Sequence, residues 1–260
     1  MKTFSVSIVL LWLSFVPMAF AADAALPTSL ESYDYAEPKL FTGTLYEIGS
    51  DRKKALYTFR RTATHSGSTV HVERDFLDTN GTLAAVEKVV YDSGRLVSFQ
   101  MQELQAQVSG AVEIGPDPGH PDHPLLFISY ANGLSPPKGD AQKFQPDTVF
   151  DDTVYPFMMA HWDELMRGDT VKFRFISLEH ERTFMFRMVK AGESVKDGRT
   201  VEQIRMEPTG LIVSRLVNPL LFTVEKDSPH HILSYTGRTT PRVKKGKSWK
   251  YLDAETVFDW

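Results

Sequence analysis

The sequence contains no cysteine in its 260 residues. This absence excludes disulfide bonds, thiol catalysis and zinc sites that use cysteine ligands. It also excludes a bacterial lipoprotein, because there is no thiol to acylate. The stability of the folded chain must therefore come from side-chain packing.

Long apolar runs and a basic excess are also missing. After the N-terminal segment, the longest apolar stretches have strand length, for example Leu125–Ile128 and Pro219–Val224. We therefore predict no transmembrane segment after removal of the signal. The formal net charge is −4, which argues against a nucleic-acid-binding protein. One basic cluster is interpreted as a solvated hairpin turn, with a phosphate or anionic-lipid contact as the alternative; it comprises Arg242, Lys244, Lys245, Lys247 and Lys250 around Gly246.

The common catalytic motifs are absent as well. The sequence has no Gly-x-Ser-x-Gly nucleophile elbow, no phosphate-binding loop, no dinucleotide-binding glycine fingerprint and no His-Glu-x-x-His zinc helix. The sequence therefore favours a binding protein over an enzyme, and it implies no cofactor.

The N-terminus has the pattern of a secretory signal peptide. Lys2 precedes an apolar run from Phe4 to Phe15, and the small-x-small site Ala19-Phe20-Ala21 follows. We predict cleavage after Ala21, so that residues 1–21 are the signal peptide and the mature protein is periplasmic. A membrane anchor is the alternative, but it needs about 20 apolar residues.

The first part of the mature chain has the period of an antiparallel β-meander. Val70, Val72 and Phe76 share one face of a strand, and Arg74 interrupts that face. Turn dipeptides separate the strand-length segments: Ser66-Gly67, Asn80-Gly81, Ser93-Gly94 and Ser109-Gly110. We predict an N-terminal β-meander section over residues 22–114, followed by a Pro/Gly-rich connection over residues 115–150, with Asn132–Asp147 loop-like.

Residues 151–260 are predicted to contain one helix followed by further strands, with another hairpin turn at Asp197-Gly198. Asp151, Asp152 or Thr153 can cap the helix, and Gly168 ends it. The expected fold is mainly β: an antiparallel barrel, half-barrel or strongly curved sheet of about ten to twelve strands packed with one amphipathic helix. Residues 22–260 can alternatively form a single domain.

An apolar face is the first candidate binding site. It comprises Phe173, Phe175, Phe184, Phe186, Met188, Ile204 and Met206 on neighbouring strands. It is interpreted either as an ordinary core or as the wall of a cavity for an acyl chain. His161, on the apolar face of the helix, is either a core residue or a ligand contact or general base in that cavity.

Among the remaining histidines, only His120 and His123 are candidates for a functional site, which would bind a metal ion. His120 and His123, with Asp117 and Asp122, could ligate a divalent ion, and an exposed polar linker is the alternative. His180 and the His230-His231 pair are interpreted as structural.

Four short segments carry a family resemblance. They are His161-Trp162-Asp163-Glu164-Leu165 with Gly168, Met206-Glu207-Pro208, Leu216-Val217-Asn218-Pro219-Leu220, and Tyr235-x-Gly237-Arg238. Over residues 150–251 the chain resembles a family of secreted proteins of Gram-negative bacteria with a domain of unknown function. That family is similar in outline to the half-barrels of lipoprotein-localisation factors. The resemblance implies a periplasmic location and a curved β fold, and it assigns no catalytic residue.

These observations lead to four functional hypotheses. The first is a soluble periplasmic binding or carrier protein for an amphiphilic envelope ligand, namely a lipid, an acyl chain or a glycan. The alternatives are an envelope interaction or structural protein that recruits protein partners, a His-dependent or metal-dependent hydrolase, and a small outer-membrane β-barrel. The last is suggested by the terminal residues Val257-Phe258-Asp259-Trp260.

Overall fold

The computed structural model describes residues 33–120, 123–133, 135–210, 214 and 217–260. The predicted signal peptide, residues 1–21, lies outside this part of the chain, as do Asp122 of the candidate metal loop and Leu216 of the family motifs. Among the described residues, no helix is both long and apolar enough to cross a membrane.

The described residues include fifteen strands, a 3₁₀ turn and two short helices. The strands are β1 Leu40–Glu47, β2 Ala55–Ser66, β3 Thr69–Asp78, β4 Leu83–Asp92, β5 Arg95–Glu103, β6 Val108–Gly115, β7 Leu125–Asn132, β8 Lys138–Lys143, β9 Thr148–Val149, β10 Val171–Ser177, β11 Arg182–Lys196, β12 Arg199–Pro208, β13 Leu220–Glu225, β14 Ile232–Lys245 and β15 Ser248–Asp259. The 3₁₀ turn is Asp151–Thr153, and the helices are α1 Val154–Ala160 and α2 Trp162–Met166.

All fifteen strands belong to one sheet with the order β8-β7-β6-β5-β4-β3-β2-β1-β15-β14-β13-β12-β11-β10-β9. Neighbouring strands are antiparallel except β9 and β10. The predicted mainly β class is therefore confirmed. The predicted ten to twelve strands were too few, and a closed barrel is wrong, because the edge strands β8 and β9 do not pair with each other in the described sheet.

Distant parts of this open sheet nevertheless contact each other through side chains. The backbone N–H of Arg242 on β14 donates to Oε2 of Glu103 on β5 at 2.7 Å. These strands are six positions apart in the sheet order, which corresponds to about 29 Å across a flat sheet. A second contact joins the two ends of the sheet: the Thr183 hydroxyl of β11 donates to Oε1 of Gln142 on the edge strand β8 at 3.0 Å. The two flanks of the sheet therefore approach each other and enclose space over one face.

The predicted hairpin turns are mostly confirmed. Ser93 and Gly94 have φ of 50° and 76°, and Asp197 and Gly198 have φ of 51° and 75°. Two consecutive positive φ angles are the backbone of a type I′ turn, whose twist matches that of the flanking strands. The Ser109-Gly110 turn was wrong, because Gly110 lies inside β6. A Cβ atom there would lie 2.8 Å from Cδ1 of Leu178, so this glycine permits a close approach rather than a turn.

The predicted single helix is interrupted. His161, with φ −112° and ψ 18°, separates α1 from α2. Gly168 ends the helical region with φ +88°, as predicted, and Asp169 N donates to the Glu164 carbonyl. The apolar side of α1 packs on the sheet, where the rings of Phe157 and Phe173 are 5.0 Å apart.

Residues 115–150 contain more structure than was predicted. Leu125–Asn132 forms β7, in agreement with the strand length of its apolar stretch Leu125–Ile128. Lys138–Lys143 forms β8, although Asn132–Asp147 was expected to be loop-like. β8 is almost entirely exposed and lies at the edge of the sheet, so it has no apolar alternation by which sequence reasoning could detect it. Through β7 and β8, these residues join the sheet that contains the strands of both flanking sections.

Candidate functional site

The flanks of the sheet enclose a cavity of about 760 Å³. Side chains from both flanks and from the 3₁₀ turn line it. The apolar part of its wall is rich in aromatic residues and includes Phe41, Phe59, Phe99, Phe175, Phe184, Phe186, Met206, Leu220, Phe222 and Phe258. A cavity of this volume is within the range of small-molecule sites, about 300–1,000 Å³.

A row of charged side chains crosses this otherwise apolar wall. Arg61 on β2 is paired in register with Arg74 on β3, and Arg74 is paired with Glu87 on β4. Nη1 of Arg74 donates to Oε2 of Glu87 at 2.8 Å. Two arginines in opposite positions repel each other, so the row requires a further anion.

Asp152 of the 3₁₀ turn supplies that anion. Its Oδ1 atom accepts from Nη2 of Arg74 at 3.0 Å and from Nε of Arg61 at 3.3 Å. The Tyr91 hydroxyl donates to Oδ2 at 2.8 Å. The side chains of Asp152 and Arg61 are only 6% and 5% exposed. Burial opposes ionisation of Asp152, but Arg61 and Arg74 hold the pKa of its carboxyl below the usual value.

Asp151, the neighbouring residue, has the opposite titration behaviour. Asp151 lines the cavity and has accessible surface, although many protein atoms lie around its carboxyl group. Burial and the negative charges of Glu87 and Asp152 raise the pKa of the Asp151 carboxyl to about 7, although Arg74 opposes the shift. Within the described part of the chain, no cation lies within ion-pair distance of Asp151. Asp151 is therefore a polar group in the cavity wall that a bound molecule could contact.

A second polar cluster surrounds Arg242. Its Nη2 atom donates to the Tyr130 hydroxyl at 2.7 Å, and its Nη1 atom lies 3.8 Å from Oε1 of Glu103. The guanidinium carbons of Arg242 and Arg238 each lie 4.5 Å from the centroid of the Tyr251 ring. The interpretation of Arg242 as part of a solvated turn was wrong, because it is 7% exposed and lines the cavity. Tyr251, which is 38% exposed, also lines the cavity.

The structure divides the predicted apolar face into two parts. Phe175, Phe184, Phe186 and Met206 line the cavity. The others, Phe173, Met188 and Ile204, are fully buried in the core that contains α1. Phe186 and Met206 belong to the same buried cluster as these three and also line the cavity, so this face is both core and cavity wall.

The candidate histidines lie elsewhere. His161 is half-buried beside Phe157, with ring centroids 4.5 Å apart, and its Nδ1 lies 3.2 Å from Oε1 of Glu164. It is absent from the described lining of the cavity. His120 and His123 are exposed, and Nδ1 of His120 lies 3.3 Å from Oδ2 of Asp117. No group of three candidate ligands that could hold a metal occurs among the described residues, which do not include Asp122.

Sequence reasoning missed the charged row and Asp151. The sequence did contain a signal: a charged residue at a position that should belong to the apolar face of a strand, two residues away from apolar neighbours. Arg74 interrupts such a face in β3, Arg61 lies between buried Phe59 and Ala63 in β2, and Glu87 lies between Ala85 and Val89 in β4. Three interruptions on consecutive strands indicate a buried ionic site.

The fold and its cavity thus define a mainly β protein whose largely apolar cavity contains the polar side chain of Asp151 and a row of charged groups. Comparison of the chain with protein-family models, with curated proteins and with solved structures finds no match.

Proposed function

We propose that this protein is a soluble periplasmic binding or carrier protein for an amphiphilic ligand. The observation that supports the proposal is the cavity of about 760 Å³, whose wall combines many aromatic side chains with a compact set of charged groups. Apolar walls favour a ligand with a hydrocarbon part, because its transfer from water contributes about 25 cal/mol per Å² of buried apolar surface.

The polar groups suggest how the other end of the ligand is held. Asp152 is fully engaged by Arg61, Arg74 and Tyr91, so it has a structural role. Asp151 borders the cavity and is available to a hydroxyl, amide or ammonium group of the ligand. We therefore propose a lipid, acyl chain or glycan conjugate whose polar part donates a hydrogen bond to Asp151.

Native mass spectrometry is the first test of the proposal. The protein is purified from the periplasm without detergent, and any bound compound is extracted into organic solvent and identified. A co-purifying amphiphile of defined mass supports a carrier. Protein without bound compound that also fails to bind a dansyl-labelled long-chain alcohol would refute it.

A matched pair of variants tests whether the cavity is the binding site. Phe184 lines the cavity, whereas its neighbour Met185 is 37% exposed. Phe184→Gln is expected to weaken binding of the dansyl-labelled long-chain alcohol about tenfold, since burial of one aromatic side chain contributes about 1.5–3 kcal/mol. Met185→Gln should bind like the wild type. Equal effects of the two substitutions would place the probe outside the cavity.

A further inference from the structure

The tip of the β14–β15 hairpin carries a concentration of positive charge. Lys244, Lys245, Lys247 and Lys250 are exposed, and Gly246, with φ +62°, turns the chain between them. In the hairpin register, Lys244 is opposite Trp249 and Lys245 is opposite Ser248. Of the described residues, no aspartate or glutamate lies within ion-pair distance of these four lysines. Their charge is therefore available to a partner.

Aromatic residues lie on the same hairpin between these cations. Nζ of Lys244 is 5.9 Å from the centroid of the Trp249 ring, and Cζ of Arg242 is 4.5 Å from that of Tyr251. Residues 249 and 251 share one face of β15, because alternate residues of a strand point to the same side. This face leads from the lysine-rich tip to Tyr251, which lines the cavity.

We propose that this hairpin tip docks the protein on an anionic lipid surface. Lysines close to such a surface are attracted to its negative potential, and an indole ring is suited to the boundary between headgroups and hydrocarbon. The whole chain carries a formal net charge of −4, so an anionic surface repels most of the molecule and attracts the tip. A soluble polyanion would bind to the lysines without requiring Trp249. The proposal does not depend on a ligand in the cavity.

Co-sedimentation with lipid vesicles tests the docking. The wild type is expected to sediment with vesicles of phosphatidylglycerol and phosphatidylcholine at low ionic strength, and to remain in solution with phosphatidylcholine alone. High salt should release it, because exposed charges are screened. The fourfold variant Lys244→Gln, Lys245→Gln, Lys247→Gln and Lys250→Gln should reduce binding roughly tenfold or more. Trp249→Ala should also weaken vesicle binding while leaving all four lysines in place.

A charge-matched control removes four exposed lysines elsewhere: Lys53, Lys138, Lys143 and Lys172, each changed to Gln. The control should bind vesicles like the wild type. An equal loss in the control, or undiminished binding of the tip variant, would overturn the proposal. Binding of the wild type to dextran sulfate but not to the vesicles would also overturn it, in favour of a soluble polyanion. Thermal melting checks that each variant is folded, and Lys245→Gln with Lys247→Gln replaces the fourfold variant if that variant is unfolded.

Discussion

Asp152 accepts a hydrogen bond from Nη2 of Arg74 at 3.0 Å, although 78 residues separate the two in the sequence. The same carboxylate oxygen accepts from Arg61, which is the register partner of Arg74 on the neighbouring strand. One aspartate therefore offsets the repulsion between two opposed arginines. It also holds the 3₁₀ turn against the sheet at the wall of the cavity.

Replacement of Asp152 is expected to destabilise the fold strongly. Asp152→Ala leaves two nearby arginines without this counter-ion, and removal of one partner from a buried ion pair typically costs about 3–5 kcal/mol. Urea denaturation measures the loss. The control Asp163→Ala changes an exposed aspartate of α2 and should shift stability by no more than about 0.5 kcal/mol. Equal stabilities of the two variants would show that the charged row does not need Asp152.

The pH dependence of stability should carry a contribution from Asp151. Its pKa is raised to about 7 in the folded protein, so the folded state binds this proton more tightly than the unfolded state. The contribution is fully present below the ordinary carboxyl pKa and is lost as the pH rises through about 7. Asp151→Asn removes the titration and should therefore raise the melting temperature more at pH 8.5 than at pH 5, because pH 5 already lies above the ordinary carboxyl pKa and only part of the contribution is lost there.

Thermal melting across this pH range distinguishes the proton effect from other effects of the substitution. A melting-temperature difference that is the same at both pH values would mean that Asp151 does not titrate there. The variant retains the charged neighbours Glu87, Asp152 and Arg74. Their contributions to the pH dependence of stability are therefore present in both the wild type and the variant, except for their interaction with residue 151.

Gly110 should not tolerate a side chain. A Cβ atom at this position would lie 2.8 Å from Cδ1 of Leu178, so Gly110→Ala forces a shift that costs about 1–3 kcal/mol. Gly192→Ala is the control, because nothing lies within 4 Å of its added Cβ and its φ is not positive. Denaturant unfolding of both variants gives the comparison. Restoration of stability by Leu178→Ala in the Gly110→Ala background would identify the contact as the cause.

Trp260 should contribute to stability through a contact with the start of β14. Its Nε1 donates to the Ile232 carbonyl at 2.6 Å, and its ring stacks on Phe41 and His231 with centroids 5.5 Å and 4.4 Å away. Trp260→Ala is expected to cost about 1–3 kcal/mol, the sum of a hydrogen bond and aromatic contacts. Trp260→Phe retains part of the stacking and should lose less. Equal unfolding free energies for the wild type and Trp260→Ala would contradict this role.

The features that sequence reasoning predicted correctly are local ones. The turns at Ser93-Gly94 and Asp197-Gly198, the helix end at Gly168 and the alternation in β3 each depend on residues a few positions apart. The edge strand β8 was missed, because an exposed strand with one neighbour needs no apolar alternation. The interruption of the helix at His161 was also missed, since the apolar periodicity continues across it.

The sequence by itself determined the mainly β class, most hairpin turns and the set of residues that can form an apolar face, because period and turn chemistry are encoded in neighbouring residues. Only the tertiary structure decided that Phe173 is core and Phe175 is cavity wall, since α1 is close to Phe173 and both residues belong to the same strand. The tertiary structure also decided which charged side chains meet at the cavity wall. Asp152 meets Arg61 and Arg74 through strand register and the approach of distant segments, and neither is visible in a local sequence pattern.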